Sequence, residues 1–145
     1  MALTALPACK RAGPVAYTSA QSSLETSVAG RDVNSDNIRD DVNASIAAYY
    51  TGPESVALSV YAQALQLWLL ADGPWKLREA FRAEAEASAC LRVAFPEDAA
   101  ARERQVRTVV LNTPVRRARM REAREAHAAL GVTSGPATCR VMAAP

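Results

Sequence analysis

The chain has 145 residues, a formal net charge of +2, 50% hydrophobic and 22% charged residues. That length suits one domain with one core, and the charged and apolar fractions exclude both a disordered chain and a multi-pass membrane protein. With 31 Ala, 15 Arg, 2 Lys and 6 Gly, the composition favours helix over sheet, and the expected fold is all-α: a four- or five-helix bundle with an extended N-terminal arm.

Residues 1–34 hold Pro7, Gly13, Pro14 and Gly30 with a Ser/Thr cluster and no sustained period, so they read as an arm that a partner must hold in place. No long apolar run that could serve as a secretory signal occurs in 1–24. Lys10 and Arg11 precede the first acid, Glu25, and such an acid-poor, hydroxyl-rich start suits a mitochondrial import segment. The expected location is mitochondrial, otherwise cytoplasmic. The helical body spans 35–131, with an irregular tail over 132–145.

The first helix is expected to open at Ser35 as N-cap, with Asp36 in its first turn and Ile38, Val42, Ile46 and Tyr49 on one face, and to stop at Gly52-Pro53. Thr51 and Glu54 have capping-box spacing for the second helix. From Ser55 to Ala71 there is no charge, and Ser55, Ser59, Gln63 and Gln66 form one narrow polar stripe on an otherwise apolar helix. That pattern predicts the buried centre of a bundle, with membrane contact through 55–71 as the alternative. Asp72-Gly73-Pro74 ends this helix and opens a third, whose predicted buried face is Leu77, Phe81, Ala85, Ala89 and Val93, with Arg82 and Glu86 paired across a turn. A fourth helix follows Phe95-Pro96, with Glu97 and Asp98 in its first turn and Val106, Val109 and Val110 as its apolar residues. Thr113-Pro114 opens a fifth, carrying Met120, Ala123, His127 and Leu130 on one face and ending at Gly131. The expected core centres on Ile46, Tyr61, Leu65, Trp68, Leu77 and Phe81. Being rich in Ala it buries modest area, so partner contacts are expected to contribute to stability.

Cys9, Cys90 and Cys139 are odd in number, widely spaced and without a C-x-x-C pair. They read as three unpaired thiols in a reducing compartment, with no zinc site. No metal or cofactor is expected.

Charge is unevenly placed. Residues 1–100 carry 8 basic and 12 acidic side chains, net −4, whereas 101–145 carry 9 and 3, net +6. Arg102, Arg104, Arg107, Arg116, Arg117, Arg119, Arg121 and Arg124 form the candidate partner-binding face, suited to an acidic protein surface. Nucleic acid is the weaker alternative, because no aromatic residues interleave these arginines for base stacking.

No Gly-rich phosphate loop, nucleophile elbow or metal-ligand spacing occurs, and no catalytic set is expected. The one catalytic alternative is Arg121, Arg124 and His127 in the run REAREAH, where an imidazole base lies a turn from a guanidinium clamp. This run resembles the Arg–His signature of the HEPN ribonucleases, also small helical bundles, which implies a ribonuclease or RNA-contacting module. A second resemblance covers more of the chain. Val60-Tyr61-Ala62 in the second helix and Leu77-Arg78-Glu79-Ala80-Phe81-Arg82 in the third resemble the mitochondrial LYR-motif family of small helical accessory proteins, with Val60 and Ala62 replacing the Leu and Arg of the triplet. That resemblance implies an accessory or assembly subunit of a respiratory-chain or ATP-synthase-type complex. The expected function is therefore a non-catalytic structural or accessory subunit that docks through its arm and its Arg-rich helices, with a viral or phage structural component as a further alternative.

Overall fold

The computed structural model describes residues 26–133 and 135–141. Its five helices are α1 (Asp40–Ala47), α2 (Gly52–Leu70), α3 (Pro74–Ala94), α4 (Ala99–Val110) and α5 (Pro114–Ala128), and no strand occurs among the described residues. The central pair is α2 and α3, joined by three residues; α4 and α5 each seat on both, and α1 packs on α2 and α4. The fold is all-α, as composition and periodicity predict.

The apolar segment after Thr51 is the heart of the bundle. Tyr61 and Leu65 are 0% exposed and Trp68 and Leu69 1%. No helix among the described residues is long and apolar enough to cross a membrane. Fully buried Ala57, Ala80 and Ala87 let the backbones of α2 and α3 approach closely. The polar stripe of α2 tethers the segment ahead of α1, because Gln63 donates to the carbonyl of Asp36 and Gln66 to that of Ala29, each at 2.7 Å. Those bonds tie Ala29 and Asp36, and so part of the stretch ahead of α1, to the body of the bundle. Residues 1–25 of the expected arm lie outside the described residues.

Several expected boundaries shift. Helix α1 opens at Asp40, not Ser35. Asp32 and Asp36 draw the backbone N–H groups of Asn37 and Ile38 at 2.9 and 2.8 Å, giving this stretch an alternative to helical bonding. Tyr49 lies beyond the end of α1 and is exposed. Thr51 is the N-cap of α2, yet its side chain makes no cap hydrogen bond; Gly52, at φ +59°, turns the chain into the helix directly after it. Thr113 does cap α5, accepting the N–H of Arg116 at 3.2 Å.

The buried residues of α3 are Leu77, Ala80, Glu84, Ala87, Ala89, Cys90 and Leu91, so of the expected line Leu77 and Ala89 are buried, while Phe81, Ala85 and Val93 are not. A constant step of four overshoots a full turn by about 40° each time, so that line drifts round the helix and leaves Val93 exposed. Phe81 is half-buried for the same reason, while the other expected core residues are buried. Glu86 pairs with Arg140 at 3.8 Å rather than with Arg82.

The cysteines require a larger correction. Cys90, buried on α3, is joined to Cys139 in the C-terminal segment by a disulfide spanning 49 positions. Three unpaired thiols are therefore not what the protein carries, and the irregular segment after α5 is stapled back onto α3. Cys9 lies outside the described residues.

Candidate functional site

The buried face of α3 places one carboxylate, Glu84, inside the bundle at 8% exposure. A lone ionised carboxylate there would be costly, and four side chains from three other helices offset that cost. Trp68 donates its indole N–H at 2.8 Å and Tyr61 its hydroxyl at 3.5 Å, both from α2. Arg107 of α4 donates to Oε1, and one nitrogen of Arg124 on α5 lies 2.7 Å from each oxygen. The guanidiniums also cover the aromatic faces, Arg107 over Tyr61 and Arg124 over Trp68 at 4.9 Å. Burial drives the phenol of Tyr61 well above its ordinary range, which keeps it a donor. Both oxygens of Glu84 are thus engaged, and the cluster locks α2, α3, α4 and α5 together.

A second centre fixes the N-terminal segment. Arg39 is 1% exposed and donates to the carbonyls of Val110 and Val109 at 2.7 and 3.2 Å, satisfying the C-terminal end of α4. It also makes a two-point contact with Asp41 at 2.8 and 2.7 Å. Burial raises the Asp41 carboxyl, but the hydrogen bonds and charge of Arg39, with Arg116 nearby, outweigh it and hold the group below the usual carboxylate value. Gly30, at φ +73°, lies directly on the stem of Arg39, where a Cβ would overlap the Arg39 side chain.

The eight arginines of the expected docking face do not form one open face. Arg107 and Arg124 are bound to Glu84. Arg116 is buried and donates to Asn112 Oδ1 at 2.6 Å, and Arg119 reaches the carbonyls of Leu69 and Ala71 at the end of α2. Arg102 pairs with Asp98 and donates to the Tyr50 hydroxyl, and Arg117 donates to the carbonyl of Leu111. Arg104 and Arg121 are exposed, with no side-chain partner among the described residues.

The residues of the alternative catalytic set are also dispersed in role. His127 is 6% exposed, edge-on to Trp68 and stacked on Phe81 with centroids 4.2 Å apart. Its Nε2 is buried with no hydrogen-bond partner among the described residues. Arg124 serves Glu84, while Arg121 points to solvent. Among the described residues no group of three or more His, Cys, Asp or Glu could hold a metal ion.

The N-terminal end of α3 presents a large aromatic side chain to solvent. Trp75 is 75% exposed, beside Arg78, Glu79 and Arg82. Its position could have been read from the sequence, since it stands two residues, about 200°, from buried Leu77. Glu84 too had a signal, as an acid spaced three and four residues from buried alanines.

No protein-family model, curated protein or solved structure matches the chain.

Proposed function

We propose that this chain is a non-catalytic accessory protein that acts by binding a partner chain, with the Trp75 end of α3 as its principal contact, and that it works in an oxidising compartment. The single observation that carries the reading is Trp75. A tryptophan three-quarters exposed and flanked by arginines is the side-chain combination that concentrates binding energy at protein interfaces. The charge cluster of the bundle interior supports the same reading, because Glu84, Arg107 and Arg124 are engaged with one another. The Cys90–Cys139 bridge supports an oxidising setting, such as a periplasm or the cell exterior, in place of the reducing one that free thiols would suit. Within this reading Arg104 and Arg121 stay open to solvent, and the other six arginines hold the fold.

A photo-crosslinking residue placed at position 75 in the native cells tests it, with exposed Ala101 on α4 as the control position. The expected result is one defined crosslinked partner from position 75 and none from 101, with the partner lost on Trp75→Ala. A chain that stays monomeric and uncrosslinked at position 75 in those cells overturns the reading.

A further inference from the structure

Between the outer face of α3 and the chain that follows α5 lies a cavity of about 360 Å³. Arg78, Phe81 and Arg82 line it on the helix side, and Thr138 and Arg140 on the other. Arg78 and Arg82 are one helical turn apart, so both guanidiniums stand on the same rim. Neither has a hydrogen bond or ion pair among the described residues. The third guanidinium, Arg140, meets the one carboxylate of the lining, Glu86, at 3.8 Å. Three cations against one anion leave the cavity positive. Its inner wall is apolar: the half-buried ring of Phe81 is backed by His127, which is itself held against Trp68. The volume falls at the small end of ligand pockets, enough for one ring and an anionic head.

We propose that this cavity is a binding site for a small organic oxyanion, a carboxylate or phosphate monoester on a compact aromatic body, and that the Cys90–Cys139 bond holds the site closed. Arg78 and Arg82 take the charged head, for which the planar guanidinium fork is suited, and Phe81 takes the body. The redox dependence follows from how the outer wall is attached. Thr138 and Arg140 flank Cys139, and the disulfide is the covalent tie between that segment and α3. With the bond reduced, the ion pair of Arg140 with Glu86 is a weak substitute, because Arg140 is 76% exposed. Arg78 and Arg82 stand beside both Trp75 and the cavity, but Trp75 is outside the cavity lining and Phe81 is not beside Trp75, so loss of the partner on Trp75→Ala and loss of ring-dependent binding are read separately.

Calorimetric titration of the oxidised full chain with phenyl phosphate, benzoate and inorganic phosphate is the test. Phenyl phosphate or benzoate is expected to bind at least about tenfold more tightly than inorganic phosphate, because only they bring a ring to Phe81. Arg78→Gln and Arg82→Gln are each expected to weaken that binding about fivefold or more. Cys139→Ser is expected to weaken it comparably while the helical circular dichroism is retained. The proposal is overturned if neither aromatic probe binds at millimolar concentration, if inorganic phosphate binds equally well, or if Arg82→Gln leaves the affinity unchanged. Unchanged affinity in folded Cys139→Ser removes the disulfide from the site.

Discussion

Arg39 donates to the carbonyl of Val110, 71 positions further along the chain, at 2.7 Å, and Gly30 closes over the stem that makes this reach. The Arg39 head is anchored at Val109, Val110 and Asp41, so the side chain cannot swing aside to admit a methyl group at position 30. Gly30→Ala also adds strain at a positive φ. We expect it to lower stability by about 2–3 kcal/mol, well above a surface glycine replacement. Urea denaturation checks this; a loss below about 0.5 kcal/mol shows that the segment is not clamped.

Glu84 and its guanidiniums differ in how far they are withdrawn from water. The carboxylate side chain is 11% exposed, against 33% for Arg107 and 38% for Arg124. Glu84→Gln places an amide donor among cationic donors, and we expect a loss of about 2–4 kcal/mol. Arg124→Ala removes a partner that water replaces in part, for a loss nearer about 1 kcal/mol. Denaturation midpoints of the two variants test the order, which reverses if the cluster is organised around Arg124.

His127 brings a buried nitrogen that no group among the described residues satisfies. His127→Phe keeps a ring against Trp68 and Phe81 and removes that unsatisfied atom. We expect stability to hold or to rise by up to about 1 kcal/mol in thermal or chemical unfolding. A marked loss would show that the imidazole makes an essential polar contact.

The acid limb of stability should carry the mark chiefly of Asp41 and Asp36, since Asp72, held low by Lys76, is exposed and screened by solvent. Asp41 is held low as described above. Burial raises the Asp36 carboxyl, but hydrogen bonds from Asn43, the Ile38 N–H and Asn34 together outweigh it and hold the group low. A folded-state value below the unfolded one stabilises the native chain above the unfolded value, about 3.9 for Asp, and that contribution is lost as pH falls through the folded value. Stability is therefore expected to hold down to about pH 5 and fall below about pH 4. Asp41→Asn is expected to lower stability at neutral pH and flatten the acid slope. An unchanged slope would assign the acid loss to other groups.

Local rules read the helices well and the long-range bonds poorly. Pro74, Pro114 and the Thr113 cap mark helix starts through their own backbone chemistry, and the uncharged second helix declares its burial by lacking a charged face. Boundaries failed where side chains compete for backbone groups, as Asp32 and Asp36 do ahead of α1. The arginine run was legible as charge but not as structure. Whether Arg107 or Arg124 meets solvent or Glu84 depends on a residue 23 or 40 positions away, and no local period encodes that pairing. Alternating steps of three and four along α3 put Glu84 on the buried face with Ala80 and Ala87 and leave Trp75 on the opposite side from Leu77.

Cys90 and Cys139 stand 49 positions apart, and the link between them decides the most, since the oxidising compartment and the closed wall beside Phe81 both depend on it. Loop closure over that span is worth about 2–4 kcal/mol. Non-reducing peptide mapping of the protein isolated from its own cells, with free thiols alkylated at lysis, reads the link directly. We expect one disulfide-linked pair of peptides carrying Cys90 and Cys139. Alkylated Cys90 in the folded protein, or either cysteine paired with Cys9, would contradict it.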